Sequence, residues 1–123
     1  TLNYTNTIIA NSSSGGDCVN HGGTIGTKTN NLVEDGSCSA TFSGDPNLGA
    51  LASNGGPNQT FALLTGSPAI NAGNDSACAA SPIFNLDQRG VTRPQGAHCD
   101  IGAYEYDLSN DPLSYIFLPL VKR

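Results

Sequence analysis

The residues able to do chemistry gather toward the C-terminal half of this 123-residue chain. Asp87, Arg89 and Arg93 lie within seven positions, and Asp100 and Glu105 flank Ile101-Gly102-Ala103-Tyr104. Two acids beside a tyrosine have the composition of a glycosidase pair, in which one carboxyl protonates and the other attacks or activates water. The same acids, with backbone carbonyls, would also suit calcium, although no EF-hand spacing is present. The structural alternative is that carboxylates and guanidinium groups collect backbone donors and acceptors and pin an irregular loop. That alternative is preferred, with Asp87, Arg89, Asp100 and Glu105 as loop fasteners and Glu105 pairing with Arg89. His98, beside Cys99, offers a thiol dyad, but a disulfide-bonded cysteine is no nucleophile. His21, in Asn20-His21-Gly22-Gly23, reads as a polar loop residue. Farther upstream, Asp17, Glu34 and Asp35 lack aromatic companions of the kind a sugar-cleaving groove would need. No catalytic residue, metal ligand or cofactor site is assigned, and calcium has no specific motif.

The four cysteines, Cys18, Cys38, Cys78 and Cys99, form no CxxC pair, which disfavours zinc. An even number in an acidic Gly/Asn-rich chain favours two disulfides and an oxidising compartment. Of three connectivities, the local one, Cys18–Cys38 with Cys78–Cys99, is preferred because each pair brackets one loop-rich segment.

Composition limits what can position these groups. Charged residues are 12% of the chain, Gly reaches 15, and Met and Trp are absent. Gly, Asn, Ser and Thr propagate helices poorly and suit short strands joined by tight turns. Net charge is -5. There is no basic patch, so a nucleic-acid partner is not expected. No apolar run is long enough for a transmembrane span. One domain is expected over 1–106, with regular strands in 1–50 and irregular structure in 51–106. A linker follows at 107–112, then an apolar segment at 113–123.

The strongest periodicity is an offset of 24 residues that relates Asn6 to Asn30, Ile8 to Leu32 and Ile9 to Val33. It predicts parallel strands in successive turns of a β-solenoid, with Ile8 and Leu32 inward and Ile9 and Val33 outward. Asn6 and Asn30 would either stack amide on amide or cap their own turns. Leu48 and Leu51 are expected to return to the core. Phe61-Ala62-Leu63-Leu64 is a further apolar segment, and Ala69-Ile70 fits a short strand or a helical turn. Tyr115, Ile116, Phe117, Leu118, Leu120 and Val121 form an apolar tail that would cover the chain's own core, add to another chain as a strand, or serve as a sorting tag. Asn-x-Ser/Thr sequons begin at Asn3, Asn11, Asn58 and Asn74.

Several runs together resemble the C-terminal part of surface or secreted bacterial right-handed parallel β-helix proteins of the choice-of-anchor Q type, akin to polymorphic outer-membrane β-helix families. They include Asn6-Thr7-Ile8-Ile9-Ala10-Asn11, Gly44-Asp45-Pro46, Leu51-Ala52-Ser53-Asn54-Gly55-Gly56-Pro57 and Gly66-Ser67-Pro68-Ala69-Ile70. Asp87-Gln88-Arg89-Gly90 and Cys99-Asp100-Ile101-Gly102-Ala103-Tyr104-Glu105 complete the set. Asn71 stands where that family commonly has Asp. The tail from Ile116 to Arg123 resembles a C-terminal signature of exported Chloroflexi-like proteins. The resemblance implies an all-β fold: terminal coils of a right-handed parallel β-helix with a loop-rich, disulfide-stapled end. It also implies a secreted or cell-surface location and brings no catalytic residues with it. The functional expectation is a non-enzymatic extracellular structural module that assembles into a filament or surface layer by strand addition. Its partners would be copies of itself or upstream coils of one precursor. Surface glycans are a further expected partner, and the alternatives are a polysaccharide-binding adhesin or a polysaccharide-degrading β-helix enzyme.

Overall fold

A computed structural model describes residues 1–110. The expected tail at 115–121, the segment 113–123 and the end of the linker lie outside the described residues. Six short strands, one helix and one 3-10 turn make up the regular structure: β1 (Leu2–Thr5), β2 (Ile8–Ile9), β3 (Ile25–Thr29), β4 (Leu32–Val33), β5 (Leu48–Ala52), β6 (Thr60–Leu63), α1 (Asp75–Ala79) and the 3-10 turn Leu108–Asn110. They form three separate two-stranded sheets, β1 with β3, β2 with β4, and β5 with β6.

The 24-residue offset has a direct structural counterpart. β2 and β4 are parallel, with Ile8 opposite Leu32 and Ile9 opposite Val33. β1 and β3 are also parallel, with Tyr4 opposite Lys28 and Thr5 opposite Thr29. The solenoid built on that offset is not present, because the repeat does not continue. After β4 the chain makes one isolated parallel bridge, Leu32 to Phe42, then folds into the antiparallel pair β5–β6. The Asn54-Gly55-Gly56-Pro57 run reverses the chain between those strands, so no third coil can stack there. Helix α1 and a series of turns follow. The architecture is a small mixed α/β domain with discrete sheets that neither curl nor close. This corrects the all-β right-handed parallel β-helix expectation, and with it the resemblance to a β-helix family.

Burial follows this arrangement. Leu32, Leu63, Ala69, Ile101 and Tyr106 form the central apolar cluster, with Ile8, Phe42, Leu48, Ile70 and Leu108 packed around it. Val33, expected to face outward, is fully buried. Its strand is bonded on both edges, to β2 on one side and through Val33 N–H to the Phe42 carbonyl on the other. Leu51, expected in the core, is 51% exposed. A register irregularity between Leu48 and Leu51 interrupts the alternation of faces in β5. Residues 67–72 form consecutive turns, with Ile70 N–H bonded to the Ser67 carbonyl and Ala72 N–H to that of Ala69.

Polar side chains close the gaps that such short strands leave. Asn31 is completely buried; its Oδ1 accepts from Thr7 N–H at 2.9 Å and its Nδ2 donates to the Tyr4 carbonyl at 2.7 Å. It therefore satisfies both backbone groups where β1 turns into β2. Asn6 and Asn30 do not stack on each other. Asn6 holds Asn74 through both its backbone N–H and carbonyl, and Asn30 donates to the Ala72 carbonyl. Both have left-handed backbones, near φ 50°, which Asn tolerates better than most residues. Together they tie the parallel-strand half to the 72–74 turn. Replacing Asn31 with Ala would strand a buried donor and a buried acceptor, at a cost of roughly 2–4 kcal/mol. A lower urea midpoint with an unchanged slope is the expected result of equilibrium denaturation of Asn31→Ala.

Candidate functional site

Three of the carboxylates singled out in the sequence, Asp87, Asp100 and Glu105, converge with both arginines at the 99–106 segment. Tight backbone geometry brings them there. Gly73 packs so closely on the chain at Cys99 that an added Cβ would lie 2.6 Å from the Cys99 carbonyl. Gly56, at φ +75°, abuts the Arg89 backbone in the same way. The Ser81-Pro82 and Arg93-Pro94 peptide bonds are cis, and Phe84 and Asn85 both have positive φ.

Asp87 lies at the centre of the cluster. One oxygen accepts from the N–H groups of Arg89 and Val91; the other accepts from Glu105 N–H and from the Arg89 Nε and Nη2 groups. Arg89 Nη2 also reaches the Glu105 carbonyl, and its guanidinium lies 3.7 Å from the Tyr104 ring centroid. The expected Arg89–Glu105 contact is therefore made to the Glu105 backbone, while the Arg89 ion pair is with Asp87 at 2.7 Å. Arg93 gathers carbonyls instead: it donates to those of Leu86, Asp100 and Gly102 and lies 3.6 Å from the Glu105 carboxylate. Asp100 accepts from Asn71 and Tyr106 N–H groups, one on each oxygen. Glu105 likewise accepts from Gln95 and Asp100.

This geometry leaves these groups little capacity to act on a substrate. Asp100 and Glu105 are 2% and 0% exposed, and each of their four oxygens already holds a backbone donor. Among the described residues no buried side-chain nitrogen or oxygen lacks a partner. Nor does any group of three or more His, Cys, Asp or Glu side chains among them have an arrangement to hold a metal ion. Desolvation raises the carboxyl pKa of both Asp100 and Glu105, and their mutual proximity adds to the rise at Glu105. For Asp87, burial also opposes ionisation. The donors from Glu105, Val91 and Arg89 outweigh it and hold that carboxyl below the usual range.

The cysteines pair as Cys18–Cys38 and Cys78–Cys99, and none of the four is free. The first bridge lies beside a reciprocal clasp in which Asp17 accepts from Asp35 N–H and Asp35 from Asp17 N–H. Glu34 accepts from Asn11 N–H. The second bridge joins α1 to the 96–99 turn. Asn74 caps the helix through Ala77 N–H, and Asp75 accepts from Cys99 N–H while its other oxygen meets His98 Nδ1 at 2.7 Å. His98 thus serves an exposed pair, not a thiol dyad; His21 sits in an exposed loop. Sequence reasoning missed Asn31 and Asp75. Asn31 bonds the N–H of Thr7 and Asp75 that of Cys99, and neither contact is marked in the sequence.

Two open grooves adjoin this network: one of about 450 Å³ is lined by Asp87 and Arg93 themselves with Pro82, Ile83, Leu86 and Gln88, and the other, of about 550 Å³, by Asn6, Ile8, Asn11, Leu48, Phe61 and Ala103, among others. No charged side chain lines the larger groove. Comparison with known protein families, curated proteins and solved structures finds no match to the chain. The discrete sheets remove the basis for the assembling β-helix module. The same sheets remove that for its alternatives, the β-helix adhesin and the β-helix polysaccharide enzyme. The descriptions solenoid, filament and adhesion fall with them.

Two opposite pH effects follow. Asp100 and Glu105 bind protons more readily folded than unfolded, so the stability they contribute is full below the unfolded carboxyl range, near pH 4. It is lost as pH rises through their folded values. Asp87 contributes stability above the unfolded range that is lost as pH falls through its folded value. Glu105→Gln removes one of the first pair. The variant should be less stable overall, because an amide nitrogen would face a backbone donor. Its stability should nevertheless decline less steeply than that of the parent as pH rises above about 4. Urea midpoints measured at pH steps from acid to neutral check this, and an unchanged slope would contradict it.

Proposed function

We propose that this chain is a non-catalytic domain of the secreted or cell-surface kind. The observation that supports this most directly is that its chemistry-bearing residues are consumed by the fold. Asp87, Asp100 and Glu105 hold backbone N–H groups, Arg93 holds three backbone carbonyls, and all four cysteines are bridged. Persistent disulfides fit an oxidising compartment. A core of so few large side chains also benefits from them, since each loop of about 20 residues would be worth roughly 3 kcal/mol by the unfolded-chain argument.

The corresponding experiment compares the chain produced in an oxidising compartment with the same chain held reduced. The oxidised protein should show no titratable thiol in denaturant and should resist a nonspecific protease. The reduced protein should be cleaved much faster. The Cys78→Ser/Cys99→Ser variant should lose about 3 kcal/mol. Equal protease resistance of both forms would sink the oxidising-compartment reading. Turnover of any ester, peptide or phosphate substrate that is abolished by Glu105→Gln but retained in Asn31→Ala would sink the non-catalytic one.

A further inference from the structure

The four sequons are equivalent in sequence but not in the fold. Asn3 is exposed but lies in β1, where its Oδ1 accepts from Thr27 N–H at 2.8 Å, and Thr5, which supplies its sequon hydroxyl, is half-buried. Asn74 is the cap of α1, with its backbone N–H and carbonyl both held by Asn6. Asn58 is exposed in the turn before β6, but the hydroxyl its sequon needs belongs to Thr60, which is 3% exposed and accepts from Asn54 Nδ2. Asn11 differs from all three. Its side chain is exposed at the head of the loop 11–16, and its backbone has φ 62°. Ser13, which supplies its sequon hydroxyl, is exposed as well. The Asn11 backbone N–H donates to Glu34, but neither its side-chain amide nor the Ser13 hydroxyl is engaged by another described residue.

We propose that Asn11 is the N-glycan acceptor that the folded chain presents. Sequon transfer needs the acceptor amide and the hydroxyl two residues later to be reachable together, on a surface loop. Only Asn11 and Ser13 meet that condition among the four. The donor is an oligosaccharide joined to a lipid through pyrophosphate. The bond from Asn11 Nδ2 to the first sugar carbon forms as that carbon's bond to the pyrophosphate oxygen breaks. The Nδ2 proton is lost, and the lipid pyrophosphate leaves with the electron pair. Asn11 also stands at the lip of the neutral groove containing Ile8, Leu48 and Phe61. A glycan there would extend over an apolar surface that has no charged side chain to cover it.

The test supplies a purified oligosaccharyltransferase and its lipid-linked donor to the disulfide-intact full chain. The enzyme is first shown to be active on a short sequon peptide. Because transferase and donor are added, the result does not depend on where the chain resides, and it can fail while the proposed function stands. Intact mass should show one glycan per chain, and peptide mapping should place it on Asn11. Asn11→Gln and Ser13→Ala should each abolish incorporation, whereas Asn58→Gln should leave it unchanged. The reduced and alkylated chain should accept glycans at further sequons, since the fold no longer selects among them. An unmodified folded chain would overturn the proposal, as would incorporation at Asn3, Asn58 or Asn74 at a level equal to that at Asn11.

Discussion

The Asp87 carboxylate is the interaction on which the C-terminal half depends. It accepts five hydrogen bonds, from three backbone N–H groups and two groups of one guanidinium. Those donors come from residues 89, 91 and 105, so one side chain determines how the 87–91 turn meets the closing segment. Such a segment has no ladder of its own: residues 99–107 contain no strand or helix. Buried backbone groups must still be bonded, and here carboxylates and Arg93 take the place of neighbouring strands. A charge placed this way is costly to bury alone but becomes tolerable when its partners are fixed and its oxygens filled.

This arrangement accounts for the enclosed position of two residues that look catalytic in the sequence, Asp100 and Glu105. A general acid or nucleophile needs an oxygen that faces substrate. Asp100 and Glu105 instead face Asn71, Tyr106, Gln95 and Asp100 backbone amides. Their raised pKa values have the same origin, since desolvation is the largest cause in both. A perturbed carboxyl is a sign of function only when it opens into a cleft, and these are shut within protein.

Part of the fold is legible in the sequence. The offset that sets Ile8 against Leu32 marks parallel pairing, because β-branched and aliphatic residues recur there between turn residues. Its extension to a solenoid fails. A strand pair specifies only its own register, and nothing in two copies shows whether a third will stack. The Asn54-Gly55-Gly56-Pro57 turn commits β5 and β6 to an antiparallel hairpin instead. Of the cluster, the loop-fastener reading of Asp87 and Asp100 rests on the density of turn residues around them. The partner of Arg89 is not legible, because sequence distance from Glu105 does not reveal that one oxygen of Asp87, two residues away, takes both its Nε and its Nη2 groups. Asn31 is hidden for another reason: a buried Asn that bonds two backbone groups looks the same in sequence as any turn Asn.

The central claim is that buried carboxylates substitute for secondary structure in the closing segment. Amide hydrogen exchange of the native, disulfide-intact chain tests it most directly. Glu105 and Tyr106 amides donate to Asp87 and Asp100, and Asn71 and Gln95 amides to Asp100 and Glu105. If the account holds, Glu105 and Tyr106 exchange as slowly as Leu32 in the core, with Asn71 and Gln95 protected well above unstructured-chain rates. Exchange of Glu105 and Tyr106 at the rates of an open loop, while Leu32 remains protected, would contradict it.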